Sequence, residues 1–289
     1  MCRMSAFAAT ALAALLALQA APAEAGWFGR KDKPAEGSVD AKAKPSSQNA
    51  APAVPAAPAR ATPQERAAVE RMDPLARAAF WAREFDRDPT DAEAGVSLAR
   101  ALRSMGRNDE AAATAQQVAT LAPANAEAQL ELARAHIARG QGFYAIAPAE
   151  AAAALSPKDW RAVSLLAIGY EQAQRPDEAL AAHRRALALA PANPAPMTNL
   201  AMFLAASGQT AEAEQLLRRA AALPGADMKV RQNLALVLGL QGRFDEAEKL
   251  ARQDLPPELV ANNMAYLRAV AGGGPAAGAN RSWDAMRAQ

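Results

Sequence analysis

Few side chains in this sequence can do chemistry near neutral pH. There are two histidines, His136 and His183, and one cysteine, Cys2. A zinc site needs three or four nitrogen, sulfur or carboxylate ligands at close spacing, and neither histidine has a second histidine near it. Cys2 falls in an N-terminal leader, so the mature chain is expected to have no thiol, no disulfide and no cysteine nucleophile. Acid pairs such as Asp109-Glu110 and Asp177-Glu178 have the composition of an acid–base dyad. They recur at one interval along the chain, which points to helix starts and solvated surface. Gly272-Gly273-Gly274-Pro275 follows no strand and opens no helix, so it has no phosphate-binding context. No catalytic residue, no metal ligand, no cofactor and no small-molecule substrate is expected.

The recurrence of the acid pairs leads to the elements that carry them. Leu98, Leu132, Leu166, Leu200 and Leu234 stand 34 residues apart, each followed by alanine. A second alanine ladder runs through Ala111, Ala145, Ala179, Ala213 and Ala247. Gly106, Gly140, Gly208 and Gly242 share that register, with Gln174 at the fifth place, and so do Pro89, Pro123, Pro157 and Pro191. Pro224 comes one residue early, yet Leu234 keeps the register. Small residues mark where two helices cross closely. Glycine suits a helix C-terminus, and proline ends a helix because it has no N–H and restricts the residue before it. Asp109, Asp177 and Asp245 are expected to cap the second helix of each pair.

This 34-residue pattern resembles the tetratricopeptide repeat, over five repeats from about residue 92 to 256. The implied fold is all-α, a superhelical solenoid with a degenerate N-terminal half-repeat around Pro74–Asp86 and a C-terminal capping helix around Glu258–Val270. His136 and His183 then occupy packing positions. The first helices of such an array line a groove that can hold a partner segment. Members of this repeat family that bind peptides often use an asparagine at the sixth position, and Asn199 and Asn233 stand there in Thr-Asn-Leu-Ala and Gln-Asn-Leu-Ala. An amide both donates and accepts, so it can pair with one peptide unit. Arg100, Arg103 and Arg134 fall at outward positions, where they can meet partner carboxylates. Met202, Leu236 and Ile137 are expected to form an apolar floor.

The ends differ in composition from the array. Residues 1–25 carry Arg3, an apolar run from Ala6 to Ala20 and Ala23-Glu24-Ala25, and read as a secretory signal cleaved before Gly26. Residues 26–62, rich in Ala, Pro, Lys and Ser, bear a net positive charge and have no Leu, Ile or Met. They are expected to be a disordered tether, with the proline run from Ala50 to Ala59 extended. Residues 63–270 are the repeat domain and 271–289 a flexible tail containing Trp283. Net charge is only +2 for 289 residues, and no nucleic-acid partner is expected.

A further resemblance rests on the C-terminal third. Arg231-Gln-Asn-Leu-Ala-Leu-Val-Leu-Gly-Leu-Gln-Gly-Arg-Phe-Asp-Glu-Ala-Glu, Asp254-Leu-Pro-Pro-Glu and Asn262-Asn-Met-Ala-Tyr-Leu-Arg look like the tight adherence (Flp) pilus assembly protein TadD family, as does Asp73-Pro-Leu-Ala-Arg-Ala-Ala-Phe-Trp. That resemblance implies a non-enzymatic scaffold in Flp/Tad pilus secretion, with pilus components such as the outer-membrane secretin as partners and peripheral association with the outer membrane. Members of that family are usually lipoproteins. Here Ala25-Gly26 stands at the signal junction with no cysteine after it, so an exported, soluble periplasmic form is expected. A generic periplasmic repeat adaptor for envelope or polysaccharide export is the alternative.

Overall fold

The computed structural model describes residues 60–271. The expected signal, most of the tether and the tail with Trp283 lie outside the described residues. The described residues form thirteen α-helices and no strand. A short α1 (Pro63–Val69) and α2 (Pro74–Arg87) come first. Five helix pairs follow: α3 (Ala92–Ser104) with α4 (Asn108–Leu121), α5 (Ala126–Ala138) with α6 (Gly142–Leu155), α7 (Trp160–Gln172) with α8 (Pro176–Leu189), α9 (Pro194–Ala206) with α10 (Thr210–Ala221), and α11 (Met228–Leu240) with α12 (Phe244–Ala251). α13 (Pro257–Ala271) closes the described chain. No described helix is long and apolar enough to cross a membrane.

Each ladder in the sequence has a structural counterpart. All ten alanines of the two ladders have 0% exposure, because a larger side chain there would separate the crossing helices. Each of the five first helices ends in the same hydrogen bond, from the N–H two residues past the cap to the carbonyl five residues back, as in Arg107 N to Leu102 O at 3.0 Å and Gln209 N to Leu204 O at 2.8 Å. The intervening residue has positive φ, +70 to +83° at the four glycines and +59° at Gln174. The repeat that lacks its glycine keeps the glycine geometry.

The capping expectation needs correction. None of the second helices α4, α6, α8, α10 and α12 has a side-chain cap, and Asp109, Asp177 and Asp245 lie inside the first turn. The caps sit on the first helices instead. Asp91, Asn125, Asp159, Asn193 and Asp227 each accept from a backbone N–H two or three residues on. They form one more 34-residue ladder, where the side-chain oxygen satisfies an N–H that the helix start leaves unpaired.

Packing sets the curvature. Each first helix touches its own second helix and the first helix of the next repeat, whereas second helices make no comparable contact with one another. The first helices are therefore closer together and line the inner side of the curve. α1 is tied on at its start. Thr62 and Glu65 form a capping box, Ala61 N donates to Glu84 Oε2 at 2.8 Å and Arg60 pairs with Asp88. Residues 60–62, the end of the expected tether, are thus attached to the array.

Candidate protein-binding groove

On the inner side, side-chain bridges run from one first helix to the next. Arg103 Nε donates to Glu131 Oε1 at 2.6 Å and Arg134 Nη1 donates to Glu131 Oε2 at 3.1 Å. Arg100 stands 3.8 Å from both Glu131 and Glu127. The Glu131 side chain is only 1% exposed. A buried carboxylate needs counter-charge and hydrogen bonds, and three arginines supply both. Sequence spacing sets these arginines outward to meet a partner. Arg103 and Arg134 in fact serve Glu131 within the chain, and Arg100 is the most exposed of the three. Glu131 is the group that sequence reasoning missed; a charged residue one turn from Arg134 reads as surface until the neighbouring helix covers it.

The next bridge joins α5 to α7. Arg161 Nη2 donates to Glu127 at 2.6 Å and to Asp159 at 2.6 Å, and this holds the Asp159 carboxyl below its usual range. Between α7 and α9 the bridge is neutral. Asn199 Nδ2 donates to Ser164 Oγ at 2.8 Å, across α9 and α7. The equivalent pair one repeat later, Asn233 and Thr198, makes no such bond. Thr198 Oγ1 and Gln232 Oε1 are buried without a protein partner, and Asn233, next to Gln232 in sequence, is half-buried. Met202 and Leu236 are half-buried and pack on the C-terminal core. Ile137 is partly buried on a separate cluster with Leu166.

At the N-terminal end, α1 and α3 border an open cavity of about 960 Å3 lined by Arg66, Glu93, Val96, Ser97, Arg100 and Glu127. Arg66 donates to Asp91 at 2.5 Å and to Glu93 at 2.7 Å, and sits 5.5 Å from the Trp81 ring centroid. Its guanidinium is held charged well above its usual value, mainly by the Asp91 bond.

His183 is 1% exposed, bonds Glu171 through Nε2 and has its ring 5.3 Å from Phe203. It packs the junction of α7, α8 and α9. The Asp254-Leu-Pro-Pro-Glu motif also has a structural role. Asp254 accepts from Arg231 Nε at 2.9 Å, Arg231 Nη2 at 2.5 Å and Gln232 Nε2 at 3.2 Å. It therefore fastens the turn before α13 to the start of α11.

Residues 102–142 and 170–223 match one tetratricopeptide repeat family, and residues 228–255 match another of the same description. Comparison with curated proteins finds no match. Solved structures share the fold. A thermophilic TPR protein from Thermus thermophilus is 22% identical over 60% of this chain and 93% of its own, with a TM-score of 0.53. A chain of the APC/C hetero-tetramer Cut9–Hcn1 is 19% identical over 67% of this chain and 39% of its own, TM-score 0.55. Pseudomonas aeruginosa pilF is 16% identical over 72% of this chain and 92% of its own, TM-score 0.53. At these identities the likeness is one of fold. Register, helix pairing and family matches agree, and the described chain folds as an all-α superhelix of tetratricopeptide-type repeats.

Proposed function

We propose that this protein is an exported, non-catalytic scaffold of Flp/Tad pilus assembly, which holds a segment of a pilus secretion component, the secretin first, in its inner groove. Tetratricopeptide repeats imply a protein–protein interaction scaffold, and that is the base of the reading. The observation that carries the groove is the contrast between two equivalent places. Asn199 is satisfied by Ser164, while the equivalent Asn233 has no side-chain partner and Thr198, in the place of Ser164, makes no bond to it. Asn233 is half-buried and its amide has no partner within the chain, so it can both donate to and accept from one peptide unit of a ligand. The pilus assignment is supported by the C-terminal motifs from Arg231 to Arg268, and the periplasmic address by the leader and its small-residue junction.

The test is recovery of partners by the tagged full-length protein from the cell envelope. Secretin subunits should be enriched. Asn233→Ala should weaken that binding about tenfold, close to 1.4 kcal/mol, with the melting temperature unchanged. If no pilus component is enriched, the pilus role fails. If Asn233→Ala binds as well as wild type, the groove assignment fails.

A further inference from the structure

One repeat breaks the pattern on the opposite side of the array. The second helices of repeats one, three and five begin with the same charged device. Arg107 pairs with Glu110 at 2.5 Å, Arg175 with Glu178 at 2.7 Å and Arg243 with Glu246 at 2.6 Å. Repeat four retains the acid, Glu212, in the first turn of α10. In repeat two the equivalent places hold Gln141, Phe143 and Tyr144, and α6 has no acid in its first turn. Carboxylates are favoured at a helix N-terminus, so this exchange sacrifices local stability. The aromatics gain little burial in return. Phe143 is 70% exposed and Tyr144 62%, stacked edge to face at 5.7 Å.

Tyr144, with Phe143 stacked on it, borders a cleft of about 420 Å3 between α4, α5 and α6, lined by Gln116, Gln129, His136, Tyr144, Ala147 and Pro148 among others, with no Asp, Glu, Lys or Arg. His136 lies 5.8 Å from the Tyr144 ring, and its Nδ1 is buried with no hydrogen-bond partner. Burial lowers the His136 pKa from its usual value and so favours the neutral imidazole, with the Arg139 charge adding to the effect and a hydrogen bond to Gln141 opposing it. Gln116 and Gln129 each donate once within the chain, to Thr120 and to the Pro123 carbonyl. Each retains a second N–H and a carbonyl. The cleft therefore offers an aromatic wall, several N–H donors and no charge. That chemistry suits an extended, proline-containing segment, which has apolar ring faces and many carbonyls but few N–H groups.

Such a segment exists in this chain. Pro52, Pro55 and Pro58 are three residues apart in the uncharged stretch Ala50–Ala59, which lies outside the described residues. In a polyproline II helix of three residues per turn, this spacing puts all three rings on one edge. The run ends beside Arg60, which is tied to Asp88 on the array, so binding of the run to the array is intramolecular. We propose that the cleft beside Phe143 and Tyr144 is a second binding site and that the chain's own Ala50–Ala59 run is its occupant.

The test uses the full-length chain and a fluorescein-labelled peptide with the sequence of residues 50–59, read by fluorescence anisotropy. A chain carrying Pro52→Ala, Pro55→Ala and Pro58→Ala should bind the peptide saturably. The wild-type chain should bind it at least tenfold more weakly, because its own run competes. Adding Phe143→Asp and Tyr144→Glu to the proline-free chain should lower its affinity at least tenfold. These substitutions restore the acids that the sibling repeats carry, and a thermal melt at or above that of the proline-free chain confirms that the array is intact. If the proline-free chain binds no peptide, or binds equally well after the aromatic substitutions, the site is overturned. If wild-type and proline-free chains bind equally well, the chain's own run is overturned as occupant and the cleft is assigned to a proline-rich segment of a partner.

Discussion

Gln174 is where one side chain departs most clearly from its repeat. It takes φ +59° in a turn that four sister repeats give to glycine. A left-handed conformation costs a non-glycine residue roughly 1–2 kcal/mol. The extra freedom of glycine in the unfolded chain takes back up to about 1 kcal/mol. Gln174→Gly is therefore expected to stabilise the protein by about 0.5–1 kcal/mol, measurable as a higher denaturation midpoint at unchanged slope. The turn remains because Arg175 N closes on Tyr170 O at 2.9 Å and the Arg175 guanidinium sits 4.6 Å from the Tyr170 ring centroid. The missing glycine is legible in the sequence, but its consequence is not, since a ladder position does not state its dihedral angle. The same applies to Arg103 and Arg134. Their spacing sets them on one helix face, and only the packing of α3 on α5 shows that the carboxylate they meet is Glu131.

Among the helices, α13 is held by its packing on the last pair and by a clamp at the turn before it. It buries Val260, Met264 and Leu267 against the last pair, and Asp254 pins the turn that leads into it. Hydrogen bonds to charged groups contribute about 1.5–3 kcal/mol each, less where solvent reaches them, and the Arg231 side chain is a third exposed. Asp254→Ala is expected to cost about 2 kcal/mol. Hydrogen exchange should show the loss first in α13 and the end of α12, with α3 to α8 protected as before. Uniform loss across the array would contradict a local clamp. The motif is conspicuous in the sequence, whereas its role needs the start of α11 to lie across from the turn. The Asx caps of the first helices are equally available from spacing alone, since Asp91, Asn125, Asp159, Asn193 and Asp227 form a perfect ladder. The acids of the second helices, in the same register, masked them.

Over the whole molecule, ion pairs at the repeat junctions tie stability to pH. Asp159 and Asp254 lie below the usual aspartate value of about 3.9, each chiefly through its arginine, Arg161 and Arg231. Burial pushes Asp91 up, but Arg66 and the Ala94 N–H more than offset it, so that Asp91 also lies low. A carboxyl depressed in the folded state contributes stability that is fully present above its unfolded value and lost as pH falls through the folded one. The melting temperature should hold between about pH 5 and 7 and fall steeply below about pH 4. In Asp254→Asn the acid fall should be shallower, because one of the depressed groups is gone. A melting temperature flat down to about pH 2.5 would show that these pairs do not couple to folding.

The 34-residue register by itself determined the all-α class, the number of repeats, the helix pairing and the buried alanine faces, because a period repeated five times averages out local ambiguity. Tertiary structure alone decided which side chains face one another across helices. It set Arg103 and Arg134 against Glu131, freed Asn233 while satisfying Asn199, and left Phe143 and Tyr144 exposed beside a neutral cleft. The physical reason is that periodicity specifies a residue's position around its own helix, whereas the partner of a side chain depends on the crossing and curvature of the array. Those are set by the summed packing of all the layers, and no single repeat contains them.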